Sequence, residues 1–112
     1  MFHHISKEFP FDNLTKGVID CSWLYKYAKT KKMKSVWIKI SELKYGDISY
    51  IKELNERYKR SDLNLPCLVV DFGEYYRLID GKHRLKKTIN NNGDSLLCYI
   101  FTKKEALKFL SL

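Results

Sequence analysis

The 112-residue sequence has no apolar run long enough to span a membrane, no internal repeat and no low-complexity linker. The first absence removes a transmembrane helix, which needs about 20 consecutive apolar residues. The second removes solenoids and propellers. With no signal-peptide pattern either, a cytoplasmic, reducing setting is expected, with no membrane partner. The three cysteines, Cys21, Cys67 and Cys98, are far apart and never in C-x-x-C spacing. They make neither a metal ribbon nor a disulfide framework, and the apolar surroundings of Cys67 and Cys98 predict buried thiols. Acidic residues are scarce, 13 against 21 Lys and Arg, leaving a net charge of +8. The excess favours an anionic partner, whether nucleic acid, nucleotide or an acidic protein, without choosing among them.

What is present is a foldable chain. Apolar residues make up 45% and aromatics 14%, which predicts one folded domain with a modest core. Met1 to Gly17 scatters turn residues among Phe2, Phe9 and Phe11. His3 and His4 are adjacent, so they share no helix face, and no metal site is expected there. Asp20 can cap a helix from Cys21 to about Thr30, with Trp23, Leu24, Tyr27 and Ala28 as its apolar face. Val36–Leu43 alternates as a half-buried strand. A helix is expected over Ser49–Arg57, with Ile48, Ile51, Leu54 and Tyr58 as its stripe and Arg57 and Arg60 on a solvated face. Leu65–Asp71 is a continuous apolar run, hence a buried strand, and Phe72-Gly73-Glu74 is a tight link to a strand over Tyr75–Asp80. A helix over about Lys82–Asn91 follows, ended by Asn90–Asp94, then a strand over Leu96–Phe101. Thr102 can cap a last helix, Lys103–Leu110, with Ala106, Leu107, Phe109 and Leu110 as core candidates.

The chemistry concentrates at Asp80-Gly81-Lys82-His83-Arg84. Gly81 permits a turn with positive φ and close approach of a ligand. The helix that starts at Lys82 offers unpaired N–H groups and a partial positive charge to an anion. Lys82 adds a point charge and Arg84 a planar fork suited to phosphate oxygens. His83 can shuttle a proton near neutral pH, and Asp80 can hold a metal, orient His83 or accept a proton. A capped helix with a solvated basic first turn is the plain alternative, but basic residues there oppose the helix dipole. A second cluster, Lys26, Lys29, Lys31, Lys32 and Lys34, lies among Trp23, Tyr25, Tyr27 and Trp37. Cations interleaved with aromatics suit single-stranded nucleic acid, although lysines also complement a helix C-terminus.

These pieces resemble the ParB/sulfiredoxin superfamily. The resemblance runs over Val36–Leu43, Leu65–Val70, Tyr76–Arg84 and Leu96–Phe101, roughly Ser35 to Thr102. It implies an α/β (α+β) single domain with a small mixed sheet, over 35–112, preceded by a segment, 1–34, with one helix and the basic cluster. It also implies that the turn grips nucleotide phosphates, from ATP or CTP with Mg²⁺, through Gly81, Lys82, His83 and Arg84. Two departures matter. Sulfiredoxin has its catalytic Cys where Lys82 stands, so sulfinic-acid repair lacks its thiol. ParB proteins have an E-R-R type motif and a following helix-turn-helix, and only ten residues follow Thr102 here. Relatives with D-G-x-H-R include a free-serine kinase and nucleases that use a carboxylate near the first strand's exit, a place Glu42 or Asp47 would fill.

Two functions follow as expectations. One is a nucleotide-dependent enzyme for phosphoryl transfer, nucleotide hydrolysis or phosphodiester cleavage. In it Lys82 and Arg84 hold phosphates, Asp80 binds Mg²⁺ or acts as base, and His83 moves a proton. The other is a small basic binding protein that contacts DNA, RNA or a host protein through Lys26 to Lys34 (Lys29, Lys31, Lys32 and Lys34 above all for nucleic acid), its N-terminal aromatics and the Lys86-Lys87 face. Richness in Lys, Asn, Ile and Tyr suits an AT-rich coding genome such as many phages have, which is why a host protein stands among the partners.

Overall fold

The computed structural model describes residues 2–4, 18–108 and 110–111. The chain starts with β1 (Phe2–His4), β2 (Val18–Asp20) and α1 (Cys21–Thr30). Next come β3 (Val36–Lys39), a 3₁₀ turn (Ile40–Glu42), β4 (Leu43–Lys44) and α2 (Glu56–Lys59). It ends with β5 (Cys67–Asp71), β6 (Tyr76–Asp80), α3 (Lys82–Asn90), β7 (Ser95–Thr102), α4 (Lys103–Leu107) and β8 (Leu110–Ser111). Five strands form one mixed sheet in the order β3-β7-β5-β6-β4, with β5 parallel to β7, β4 parallel to β6 and the other pairs antiparallel. β1, β2 and β8 form a second, antiparallel sheet.

β5 is central and apolar because it is covered on both faces. Leu68 and Val70 point into one cluster with Cys21, Leu24 and Ala28 of α1, together with Ile79, Phe101 and Ala106. Cys67 and Val69 point the other way, to Leu78, Leu96, Cys98 and Leu85 of α3. The period-2 alternation thus builds a layer of helix, sheet and helix. Leu85 is fully buried with Ile89 packed beside it, and burial of one such leucine is worth roughly 1.5–3 kcal/mol. The hairpin from β5 to β6 closes where Asp71 Oδ1 accepts from the Gly73 N–H at 2.7 Å, with Gly73 at φ +93°.

Three expectations are corrected. Val36–Leu43 is not one strand: the 3₁₀ turn divides it, and β3 and β4 occupy opposite edges of the sheet. In an unbroken strand Ile38 and Leu43, five apart, would face opposite sides; the turn brings both into one buried cluster and the sheet curls around it. The helix expected over Ser49–Arg57 is instead a run of turns followed by the single-turn α2. Asp47 Oδ1 takes the Ser49 N–H at 2.8 Å, and Asn55 caps α2 by accepting from Arg57 N and Tyr58 N. Such side-chain bonds compete with helix initiation upstream. Of the expected stripe, Ile51 and Tyr58 are buried but Leu54 is 82% exposed. Finally, α4 starts in a capping box between Thr102 and Glu105 as expected, yet ends at Leu107, and Leu110–Ser111 pairs with β2 instead. The expected core side chains Leu107, Phe109 and Leu110 lie outside the described side chains, as do Phe2, His3, His4, Phe9, Phe11 and the Asp20 cap.

α1 spans the expected residues, although Trp23 on its expected apolar face is 52% exposed. All three cysteines are buried thiols that form no disulfide with one another. Among the described residues no helix is long and apolar enough to cross a membrane.

Candidate phosphate-binding cleft

β6 delivers Asp80 to the sheet end, and the chain turns at Gly81 with φ +118° and ψ +21°. A Cβ there would meet the Cys67 side chain, its Cβ lying 2.7 Å away. Glycine is therefore required by conformation and by space. α3 then begins with three basic or titratable residues and no acidic one. Its first intrahelical bond runs from the Leu85 N–H to the Gly81 carbonyl at 2.9 Å. The N–H groups of Lys82, His83 and Arg84 consequently have no intrahelical acceptor.

This turn forms one wall of a cleft of about 770 Å³. The rest of the lining comes mainly from Tyr50 and from the stretch that holds Arg57, Arg60, Asp62 and Leu65. Four cations and two carboxylates, Asp62 and Asp80, thus share the cleft. The two walls are tied together through α3. Lys87 Nζ donates to the carbonyls of Lys59 (3.3 Å) and Ser61 (2.9 Å), and Asn90 Nδ2 donates to Tyr58 Oη (3.1 Å) and Glu53 Oε1 (3.3 Å). Lys87, expected on a free basic face, is a fastener of α2.

Arg84 is held tightly. Its Nη1 donates to the carbonyls of Pro66 (2.6 Å) and Leu65 (3.2 Å) and lies 3.6 Å from Cys67 Sγ. Its Nη2 donates to Tyr25 Oη at 3.2 Å, and that hydroxyl donates to Asp80 Oδ2 at 2.6 Å. Burial, then the Asp80 charge, pushes the Tyr25 hydroxyl well above its ordinary pKa, so it stays protonated. Burial pushes the Cys67 thiol up to about 11, against the opposing pull of Arg84. Burial alone would weaken the charge on Arg84, but Cys67, Tyr25 and Asp80 more than offset it and its pKa is raised.

His83 is shifted the other way. Partial burial lowers its pKa first, and the nearby Arg57 charge lowers it further, with Asp80 opposing. The imidazole is neutral at pH 7, able to accept a proton. Lys82 Nζ lies over Gly46, 3.2 Å from where a Cβ would stand, and its charge helps to hold the Asp47 carboxyl below its ordinary range, after the larger effect of the Ser49 hydrogen bonds.

The structure therefore gathers Asp80, Gly81, Lys82, His83 and Arg84 in one place. It does not bring Lys29, Lys31, Lys32 and Lys34 to the cleft. Those four are exposed at the end of α1 and just after it, where Lys31 Nζ stands 5.8 Å from the Tyr27 ring centroid and Lys26 Nζ 4.8 Å from that of Trp23. Of the two carboxylates considered near the first strand's exit, Glu42 is exposed on the 3₁₀ turn and Asp47 is occupied with Ser49. From sequence Arg57 and Arg60 are expected on a solvated face, and their i, i+3 spacing is the signal that they act together. Tyr25 is expected among the aromatics of the basic cluster, and the local sequence carries no signal of its contact with Arg84.

A hard divalent cation asks for several oxygen ligands. Among the described residues no group of three His, Cys, Asp or Glu comes together, and one oxygen of Asp80 already accepts from Tyr25.

A curled α+β domain with a basic cleft at a strand–turn–helix junction is thus the class that fold and site define. No family model and no curated protein matches the sequence. Among solved structures the chain is similar to sulfiredoxin from Arabidopsis thaliana, with a TM-score of 0.46 and 20% identity over 63% of this chain and 90% of that one. No activity is taken from that likeness.

Proposed function

We propose that this chain is a ParB/sulfiredoxin-like domain whose cleft binds the phosphates of a nucleotide or nucleic acid. The observation that carries the reading is convergence. The first turn of α3, with its N–H groups and Lys82, lines the same cleft as Arg57 and Arg60. Helix N-termini and arginine forks both favour phosphate oxygens. ATP or CTP is the natural candidate, with any Mg²⁺ carried mainly by the phosphates and water, as is usual for that ion. The enzymatic form of the reading gives His83 the proton of an attacking water or hydroxyl, because the imidazole is neutral and beside the turn. Asp80, tied to Tyr25, orients the turn and keeps one carboxylate oxygen for a second contact.

Titration of ATP, CTP, GTP and a short oligonucleotide with Mg²⁺ tests it, with chromatography of products after incubation. Binding to at least one of them is expected, and Lys82→Ala should weaken it by roughly tenfold, as loss of one charge-assisted contact does. A folded protein that binds none of the four would overturn the reading.

A second reading, a basic surface that binds single-stranded nucleic acid or a host protein without catalysis, rests on one observation. Trp23 and Trp37 are 52% and 62% exposed, and Lys26 stands over the Trp23 ring. Exposed aromatics beside lysines are the components of a stacking surface.

A further inference from the structure

We infer that Arg57 and Arg60 of α2 grip the ligand together with Lys82, while Arg84 is a brace held by Tyr25, so that the cleft selects ligands carrying two or more linked phosphates. This inference rests on the phosphate-binding reading above and assigns its contacts.

The argument begins with donors. Arg84 sits in the motif where a phosphate fork is expected, yet both terminal nitrogens are already committed. Nη1 binds two backbone carbonyls just before β5, and Nη2 binds Tyr25. The Tyr25 hydroxyl accepts from Arg84 and donates its one proton to Asp80, so Arg84 is tied into a chain of bonds that runs from the start of β5 to the end of β6. Turning the fork toward a ligand would leave partly buried carbonyls without a donor, which is unfavourable. The contacts it makes instead fasten the start of β5 to the first turn of α3 and to α1.

The remaining cations of the cleft are differently placed. Arg57 is exposed, and among the described residues its guanidinium has no hydrogen-bond or ion-pair partner. Arg60 lies 3.7 Å from Glu56, but both side chains are largely exposed, a weak and salt-screened pairing. Both line the cleft together with Lys82 and the turn, Arg57 from α2 and Arg60 from its C-cap. That Arg57 lowers the His83 pKa, after burial, is consistent with its charge being felt across the cleft. The wall does not depend on a ligand for its position, because Lys87 and Asn90 tie it to α3.

Two sets of donors, on different elements lining a cleft far larger than one phosphate group, favour a ligand with more than one anionic group. An orthophosphate can engage one set, whereas linked phosphates can engage both. Exposed Tyr50 and Leu65 at the same cleft offer an aromatic and an aliphatic surface to whatever is attached.

Calorimetric titration with orthophosphate, pyrophosphate and tripolyphosphate tests this, on the parent, on Arg57→Gln/Arg60→Gln and on Arg84→Lys. The parent should prefer pyrophosphate to orthophosphate by roughly tenfold or more, the effect of one added charge-assisted contact. The double variant, altered only at exposed positions, should bring that ratio close to one. Arg84→Lys cannot rebuild the forked contacts; it should lower the melting temperature while the ratio persists. Equal binding of orthophosphate and pyrophosphate by the parent would overturn the inference. So would a double variant that keeps the preference, or a folded Arg84→Lys protein that loses it. In each of these cases nucleotide binding by the parent would leave the broader reading standing, whereas a parent that binds neither nucleotide nor inorganic phosphates would end both.

Discussion

Gly81 is the residue on which the turn depends most. Its positive φ and the Cys67 side chain against its α-carbon leave no room for a β-carbon. Strain of about 1–3 kcal/mol at such a φ, with overpacking of similar size, predicts that Gly81→Val destabilises the fold by roughly 2–5 kcal/mol. Urea unfolding should show a lowered midpoint, and an unchanged one would mean the backbone relaxes freely. His83 offers a prediction in pH. Its folded pKa lies below the ordinary value, from burial and then from Arg57. The unfolded chain therefore binds the proton more readily, so stability is fully present above about pH 6.5 and declines as pH falls from there through the folded pKa. Arg57→Gln should move the His83 titration upward, followed by NMR of the imidazole protons. No movement would place the guanidinium away from the ring.

At the scale of elements, α2 is a short piece positioned by its neighbours. A four-residue helix has almost no stability of its own, and it stands because Asn55 caps it and Lys87 and Asn90 of α3 hold it. Asn55→Ala should cost about 1 kcal/mol, the usual value of an N-cap. Lys87→Met should do comparable damage by leaving the carbonyls of Lys59 and Ser61 without their ammonium. Both changes should also weaken pyrophosphate binding, since they loosen the wall that carries Arg57 and Arg60. Retained affinity in a destabilised Lys87→Met protein would show that the arginines find the ligand without that support.

For the whole molecule the governing quantity is charge. A net charge of +8 draws anions of every kind, so salt dependence separates the surfaces. If Lys29, Lys31, Lys32 and Lys34 contact phosphates, neutralising them should flatten the dependence of oligonucleotide affinity on salt by roughly one unit of slope per lost contact. Pyrophosphate binding in the cleft should be largely unaffected, because none of the four lines it. Equal oligonucleotide binding by parent and variant would make the cluster a solvated helix end.

The sequence by itself determined whatever depends on neighbours along the chain. The apolar run before Asp71 could only be a doubly covered strand, Asp80-Gly81 could only turn, and Lys82 to Asn90 had the period and the cap of a helix. The expectation of an anion site at the turn has the same local source, a glycine and the first residues of one helix. Tertiary structure alone decided what lies across from it. Asp47 and Asn55 diverted the chain from the helix its pattern suggested, and packing against α3 set the exposed Arg57 and Arg60 at the cleft. Tyr25 reaches Arg84 across 59 residues. No local pattern encodes that contact, because a hydrogen bond between distant segments exists only once the sheet has brought them together.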